Sequence, residues 1–192
     1  METSAVIIGG GLGGLFTGAI LSKEGVKVTV IEKNPTVGGG LQSFRRFGET
    51  FDTGMHVIGG MQEGGNIRRI CEYLGIFDKV HVMDVDPDVI DTLYFAEDKK
   101  VYKIAQGKEG FVNALSESFP DQTDNLRAYV DAVYAIVDEL DMFYLRPSQD
   151  FIFVHSEDFM MSADGFIAKY ISDRKLCSVL AYMNPLYGGR AN

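Results

Sequence analysis

Apolar runs and glycines alternate at the start of the chain. Ser4–Ile8 is short, β-branched and apolar, the pattern of a strand buried on both faces of a parallel sheet. Leu12–Lys23 follows, with Leu15, Phe16, Ala19 and Ile20 at helical spacing and Gly25 available to end the helix. Val26–Glu32 (VKVTVIE) reads as a second strand. Strand, glycine-rich turn, helix and strand in this order predict a βαβ unit with a right-handed crossover.

Beyond it the pattern changes. Residues 35–50 read as loop, with Pro35 and Gly38–Gly40, and lead into FDTGMHVI at 51–58 and Gly59–Gly60. Asn66–Leu74 carries Ile67, Ile70 and Leu74 on one helical face. Asp88–Ala96 and Lys100–Ala105 predict two strands joined by a polar turn at Glu97–Lys99, a hairpin. Helices are predicted over Gly110–Phe119, over Asn125–Tyr144 with Pro147 as its limit, and over Gly165–Tyr182. The fold class expected is α/β: a Rossmann-like βαβ unit followed by a mixed α+β part.

Charge and glycine divide the chain at a similar place. Of 192 residues, the first sixty hold fourteen of the twenty-two glycines and have no net charge, so the remainder carries the whole −9. The expected domains are 1–62, dinucleotide-binding, and 63–192, a partial substrate or cap domain. An acidic surface repels phosphate backbones, which sets nucleic acid aside as a partner. No apolar run is long enough to cross a membrane, and no signal-peptide pattern opens the sequence. Cys71 and Cys177 fit neither a disulfide framework nor a zinc site, so the expected setting is reducing and cytoplasmic.

The chemistry is concentrated in Gly9-Gly10-Gly11-Leu12-Gly13-Gly14. In a GxGxxG turn between strand and helix, Gly9 permits the tight turn. Gly11 lets a pyrophosphate approach the backbone, and Gly14 lets the helix pack against the strand. The helix N-terminus offers free N–H groups and positive dipole to the anion. Gly18 extends the small face toward the sheet. Glu32 ends the second strand, placed to accept hydrogen bonds from ribose hydroxyls, and its charge disfavours a 2′-phosphate. The bland alternative is a glycine-rich turn that binds nothing, and the fingerprint alone does not separate NAD from FAD.

A second glycine cluster, Gly38-Gly39-Gly40, follows Glu32, and then Gly48-Glu49-Thr50-Phe51-Asp52-Thr53-Gly54-Met55-His56. The combination E-x-x-x-x-x-G-G and G-x-x-F-D-x-G resembles the phytoene desaturase group of FAD-dependent oxidoreductases. FDTGMHVIGG is most similar to its retinol saturase-like branch. Amine oxidases and many desaturases have Arg after the paired glycines, where this chain has Gly40. The specific resemblance covers residues 4–60. It implies FAD as cofactor, with Gly9–Gly14 under the pyrophosphate, Glu32 on the adenosine ribose and Lys33 beside the adenine. Gly38, Gly39, Gly40 and Leu41 would run along the flavin side, and Gly54, Met55 and His56 would lie near the isoalloxazine. It also implies an apolar polyene or isoprenoid-like substrate, with desaturation, saturation or isomerisation at carbon–carbon bonds. A full-length protein of this kind is compatible with peripheral membrane contact.

His56 is the one catalytic candidate, for orienting flavin or substrate or moving a proton, against the alternative that only its backbone matters. His81 and His155 are expected at the surface, and Arg45 and Arg46 as a solvated pair. The acidic run Asp84–Asp91 lacks a calcium loop's glycine and distal glutamate, so it is expected to be a turn, and no metal is expected. Phe143, Tyr144, Phe151 and Phe153 are expected in the core, with a substrate cavity as the alternative.

Proteins of the resembled family are far longer, and their inserted domain returns to the nucleotide fold. The expectation is therefore an N-terminal portion, inactive alone and prone to self-association through uncovered strand faces. The alternative function is a non-catalytic binding or escort protein of the same superfamily. An NAD-dependent dehydrogenase would need a catalytic acid–base pair that is not evident.

Overall fold

The structure is a computed structural model of the 192-residue chain and describes residues 3–55, 57–147 and 155–184. It separates into two compact units, Met1–Val82 and Met83–Asn192. The division lies beyond the composition change near residue 60 because a helix over Asn66–Leu74 contacts the first helix of the chain.

In the first unit β1 (Ser4–Ile8) and β2 (Lys27–Ile31) pair in parallel, Ser4 with Lys27 through Ile8 with Ile31. Helix α1 (Leu12–Lys23) connects them. Side chains of both strands alternate strictly. Ile7, Val28 and Val30 face Gly18 of α1, at 3.3–3.5 Å from where a Cβ on that residue would lie. The opposite face is open, with Val6 64 %, Ile31 54 % and Ile8 88 % exposed. The sequence pattern predicted burial on both faces. One helix covers only one of them, so these β-branched residues meet solvent.

Residues 35–50 hold more order than a loop. A 3₁₀ turn at Gly39–Leu41 precedes β3 (Ser43–Arg46) and β4 (Glu49–Asp52), an antiparallel hairpin. Its two-residue turn places Phe47 at φ +54° and Gly48 at φ +86°, the left-handed pair that matches strand twist. Phe44 and Phe51 stack across it, their centroids 5.4 Å apart. Helix α2 (Asn66–Leu74) ends at Gly75, in the left-handed conformation.

The second unit contains the substantial core. β5 (Asp91–Phe95) and β6 (Lys100–Ile104) form the predicted hairpin. The acidic run before it is a turn, in which Asp86 Oδ1 accepts the Asp88 N–H at 3.0 Å. Helices α3 (Gly107–Ser116), α4 (Thr123–Asp138), α5 (Asp141–Tyr144), α6 (Glu157–Met160), α7 (Ala163–Tyr170) and α8 (Arg174–Leu180) follow. Leu115, Leu126, Ile171, Leu176 and Val179 are fully buried at their centre. Two predicted helices are split. The run to Tyr144 breaks at Leu140, whose ψ of 84° leaves the helical region. The final run breaks because Asp173 caps a new helix, its Oδ1 accepting the Leu176 N–H at 2.9 Å.

Candidate functional site

The glycine loop lies at the carboxyl ends of β1 and β2. Gly9 donates its N–H to Ile31 O at 2.8 Å, carrying the parallel pairing past Ile8. Helix α1 begins with Gly11 as its N-cap residue, without a side-chain cap and without an acid in the first turn. Among the described residues no side chain caps it, which leaves its first amides and positive dipole end open to an anion. At Gly14 a Cβ would collide with the Gly9 carbonyl oxygen, so only glycine lets the helix close back on the loop.

Glu32 faces this loop. Its Oε2 accepts the Gly10 N–H at 2.6 Å and its Oε1 accepts the Asn34 N–H at 2.7 Å. Those amides, Asn34 first and then Gly10, hold the half-buried carboxyl below the ordinary glutamate range. It is thus an anion at neutral pH. A carboxylate has about four acceptor sites, so backbone donors leave lone pairs for hydroxyl donors from a ligand. Lys33 is exposed beside it.

The second glycine cluster docks directly on the first, a relationship that sequence reasoning missed. Gly38 donates its N–H to Gly10 O at 2.7 Å, and Gly11 and Gly38 form a parallel bridge. Gly39 has φ +58°, and a Cβ on it would lie 3.0 Å from Gly11 Cα. The space beside Gly11 is bounded by Gly39 Cα, 3.8 Å from a Cβ built at Gly11, and among the described residues no side chain comes within 4 Å of that position. Gly40 has open space, Leu41 is exposed, and Gly54 lies against Gly40 O, 3.6 Å from its would-be Cβ. Met55 is exposed, and His56 lies outside the described residues.

Two polar residues without an expected role hold this second loop. Gln42 donates from Nε2 to Thr36 O at 2.6 Å, and Thr53 donates from Oγ1 to Gln42 O at 2.8 Å. The signal available for them was only their position at the edges of the glycine clusters.

Other expected candidates disperse. Arg45 and Arg46 are exposed on β3, where Arg46 pairs in register with Glu49 and lies over the Phe47 ring. His81 is exposed, but His155 is not a surface residue. It is half-buried, stacked on Phe159 with centroids 3.8 Å apart and 3.7 Å from the Glu139 carboxylate. Phe143, on the single turn of α5, is about half exposed rather than in a core. Phe151 and Phe153 lie outside the described residues. Among the described residues no group of His, Cys, Asp and Glu is arranged to hold a metal ion. In the second unit an open recess is lined by Phe111, Tyr129, Val133, Tyr134 and Leu180. No helix among the described residues is long and apolar enough to cross a membrane.

Residues 7–74 match the NAD(P)-binding Rossmann-like domain family. All-trans-retinol 13,14-reductase of Macaca fascicularis is 35 % identical over 137 residues, covering 70 % of this chain and 22 % of that protein. The human protein of the same name is 34 % identical over 137 residues with the same coverage. Prolycopene isomerase 1, chloroplastic, of an Oncidium hybrid cultivar is 26 % identical over 189 residues, covering 98 % of this chain and 30 % of that protein. The chain thus spans 22–30 % of the length of these relatives. A solved Pyrococcus furiosus protein shares the fold, with TM-score 0.57 and 21 % identity over 95 % of this chain and 37 % of that one.

Proposed function

We propose, from the premise that the chain belongs to the phytoene desaturase and retinol saturase-like family, that it is the N-terminal portion of an FAD-dependent oxidoreductase. The substrate class is an apolar polyene or isoprenoid, altered at its carbon–carbon bonds by saturation, desaturation or isomerisation. The observation that carries this reading is the backbone contact between the two glycine loops beside the Glu32 carboxylate. Among the described residues the surroundings of Gly11 are main chain only, and the start of α1 has no side-chain cap. This arrangement fits an adenine dinucleotide: hydroxyl acceptors at Glu32, amide donors at the start of α1, and bare backbone between them. The names of the relatives, a retinol reductase and a carotenoid isomerase, support the polyene class.

In this reading Glu32 binds the adenosine ribose and the first turn of α1 binds the pyrophosphate. Gly38–Leu41 and Gly54–Met55 position the flavin side, and Lys33 lies toward the adenine. Flavin supplies hydride exchange with the substrate when bound; the chain binds, orients and shields it from water. His56 remains this chain's one catalytic candidate, and the nucleotide fold is completed by the rest of the protein, so the isolated chain is expected to be inactive. Its free thiols, Cys71 buried and Cys177 half-buried, fit a reducing setting, and the cytoplasm is the compartment proposed. The test is incubation of the full-length protein with a conjugated polyene and FAD, in one arm oxidised with an added electron acceptor and in the other chemically reduced. A shift of the polyene absorption band marks a change in conjugation or in double-bond geometry. Binding of the polyene with its spectrum and composition unchanged would support an escort protein instead.

A further inference from the structure

Gly38, Gly39 and Gly40 form a stretch of backbone with more conformational freedom than any other residue type would allow. Ordering it over Gly11 carries an entropic cost that must be offset by contacts. Backbone contacts supply part of this, through Gly38 N–H to Gly10 O and the internal bonds Leu41 N–H to Gly38 O and Gln42 N–H to Gly39 O. The remaining ties come from two side chains. Gln42 Nε2 reaches back to Thr36 O at 2.6 Å and closes the loop at its base. The Thr53 hydroxyl donates to Gln42 O at 2.8 Å, with Gly40 O a longer second acceptor at 3.4 Å. The Thr53 N–H donates to Gln42 O as well, at 3.0 Å. One end of the loop is therefore fastened to the chain before it and the other to the end of β4.

We infer that Gln42 and Thr53 are positioning residues that hold the second glycine loop against Gly11 before any cofactor arrives. They thereby set affinity for the part of the dinucleotide beyond the first ribose and pyrophosphate. The inference rests on the FAD reading and deepens it. The hydrogen bonds of these two side chains among the described residues go to Thr36 O, Gln42 O and Gly40 O and not to Glu32 or the start of α1, so the adenosine diphosphate half should be indifferent to them.

The experiment compares the purified protein with Thr53→Val, Thr53→Ser and Gln42→Leu, measuring dissociation constants for FAD and for ADP and amide hydrogen exchange without ligand. A neutral hydrogen bond of this kind moves an equilibrium by about three- to tenfold. Thr53→Val and Gln42→Leu should weaken FAD by that factor while ADP binding is unchanged, and Thr53→Ser should restore it. Exchange at Gly38, Leu41 and Gln42 should quicken in Thr53→Val. Equal weakening of ADP and FAD would indicate general loss of folding and overturn the inference, as would unaltered FAD affinity or unaltered exchange. A wild-type protein that binds ADP but not FAD would defeat the flavin reading itself. The exchange measurement would still decide whether Thr53 holds the loop.

Discussion

Gly10 and Glu32, twenty-two residues apart, are joined by a 2.6 Å hydrogen bond from the Gly10 amide to Oε2 of the carboxylate. The acid expected to receive a ribose thus also fixes the loop that is to receive a pyrophosphate. Its other oxygen fixes Asn34, just beyond β2. One ionised side chain ties the ends of both strands together.

Glu32 should therefore give stability a pH dependence. Its folded-state pKa is depressed by the Asn34 and Gly10 amides. Its contribution is present above the ordinary glutamate range, about 4.3, and is lost as the pH falls through the lower folded value. Glu32→Gln should be less stable than wild type at pH 7, with the difference shrinking as the pH falls below the ordinary glutamate range. Chemical denaturation at several pH values checks this. A stability gap independent of pH would show that the charge is not involved.

Gly13 and Gly14 are neighbours with opposite expected outcomes. A Cβ at Gly13 meets nothing within 4 Å, so Gly13→Ala should stabilise by up to about 1 kcal/mol through helix propensity. A Cβ at Gly14 collides with the Gly9 carbonyl oxygen, so Gly14→Ala should cost about 1–3 kcal/mol. Thermal melts of the two variants check the pair.

Much of this arrangement was legible in the sequence, for identifiable reasons. β1, α1 and α2 fall within the predicted bounds because glycine or polar residues mark their ends. The β3–β4 hairpin was not foreseen, because its turn uses Phe47 in a left-handed conformation that a bulky residue rarely adopts. The break in the final helix is hidden because apolar residues resume at Leu176 and Val179 after Ser172 and Asp173; the structure shows it where Ile171 turns extended, with ψ 122°, and Asp173 caps a new helix. Within the candidate site, Glu32 and the first loop follow from local spacing. The Gly11–Gly39 contact joins residues far apart in the chain, so no local pattern announces it. The hold of Thr53 on Gln42 is hidden for the same reason.

Asp173 supplies a check on the second unit. Its cap of α8 should be worth about 1 kcal/mol, so Asp173→Ala should lower the melting temperature while Asp173→Asn largely preserves it. Equal melting temperatures for wild type and the alanine variant would count against the cap.

The open face of β1 and β2 predicts behaviour in solution. Ile8 is 88 % exposed beside Val6 and Ile31, an apolar strand surface of the kind that associates. The 192-residue chain alone should self-associate in a concentration-dependent way, and Ile8→Thr should reduce this with little change in stability. Light scattering across a dilution series checks it, and a monomer at all concentrations would leave the face without that role.

Titration of the purified full-length protein with FAD, and with NAD as the comparison, decides whether the two glycine loops and Glu32 together hold FAD. One FAD per protein, with a perturbed flavin spectrum and much weaker binding of NAD, is the expected result. Failure to take up FAD, or equal affinity for NAD, would contradict it.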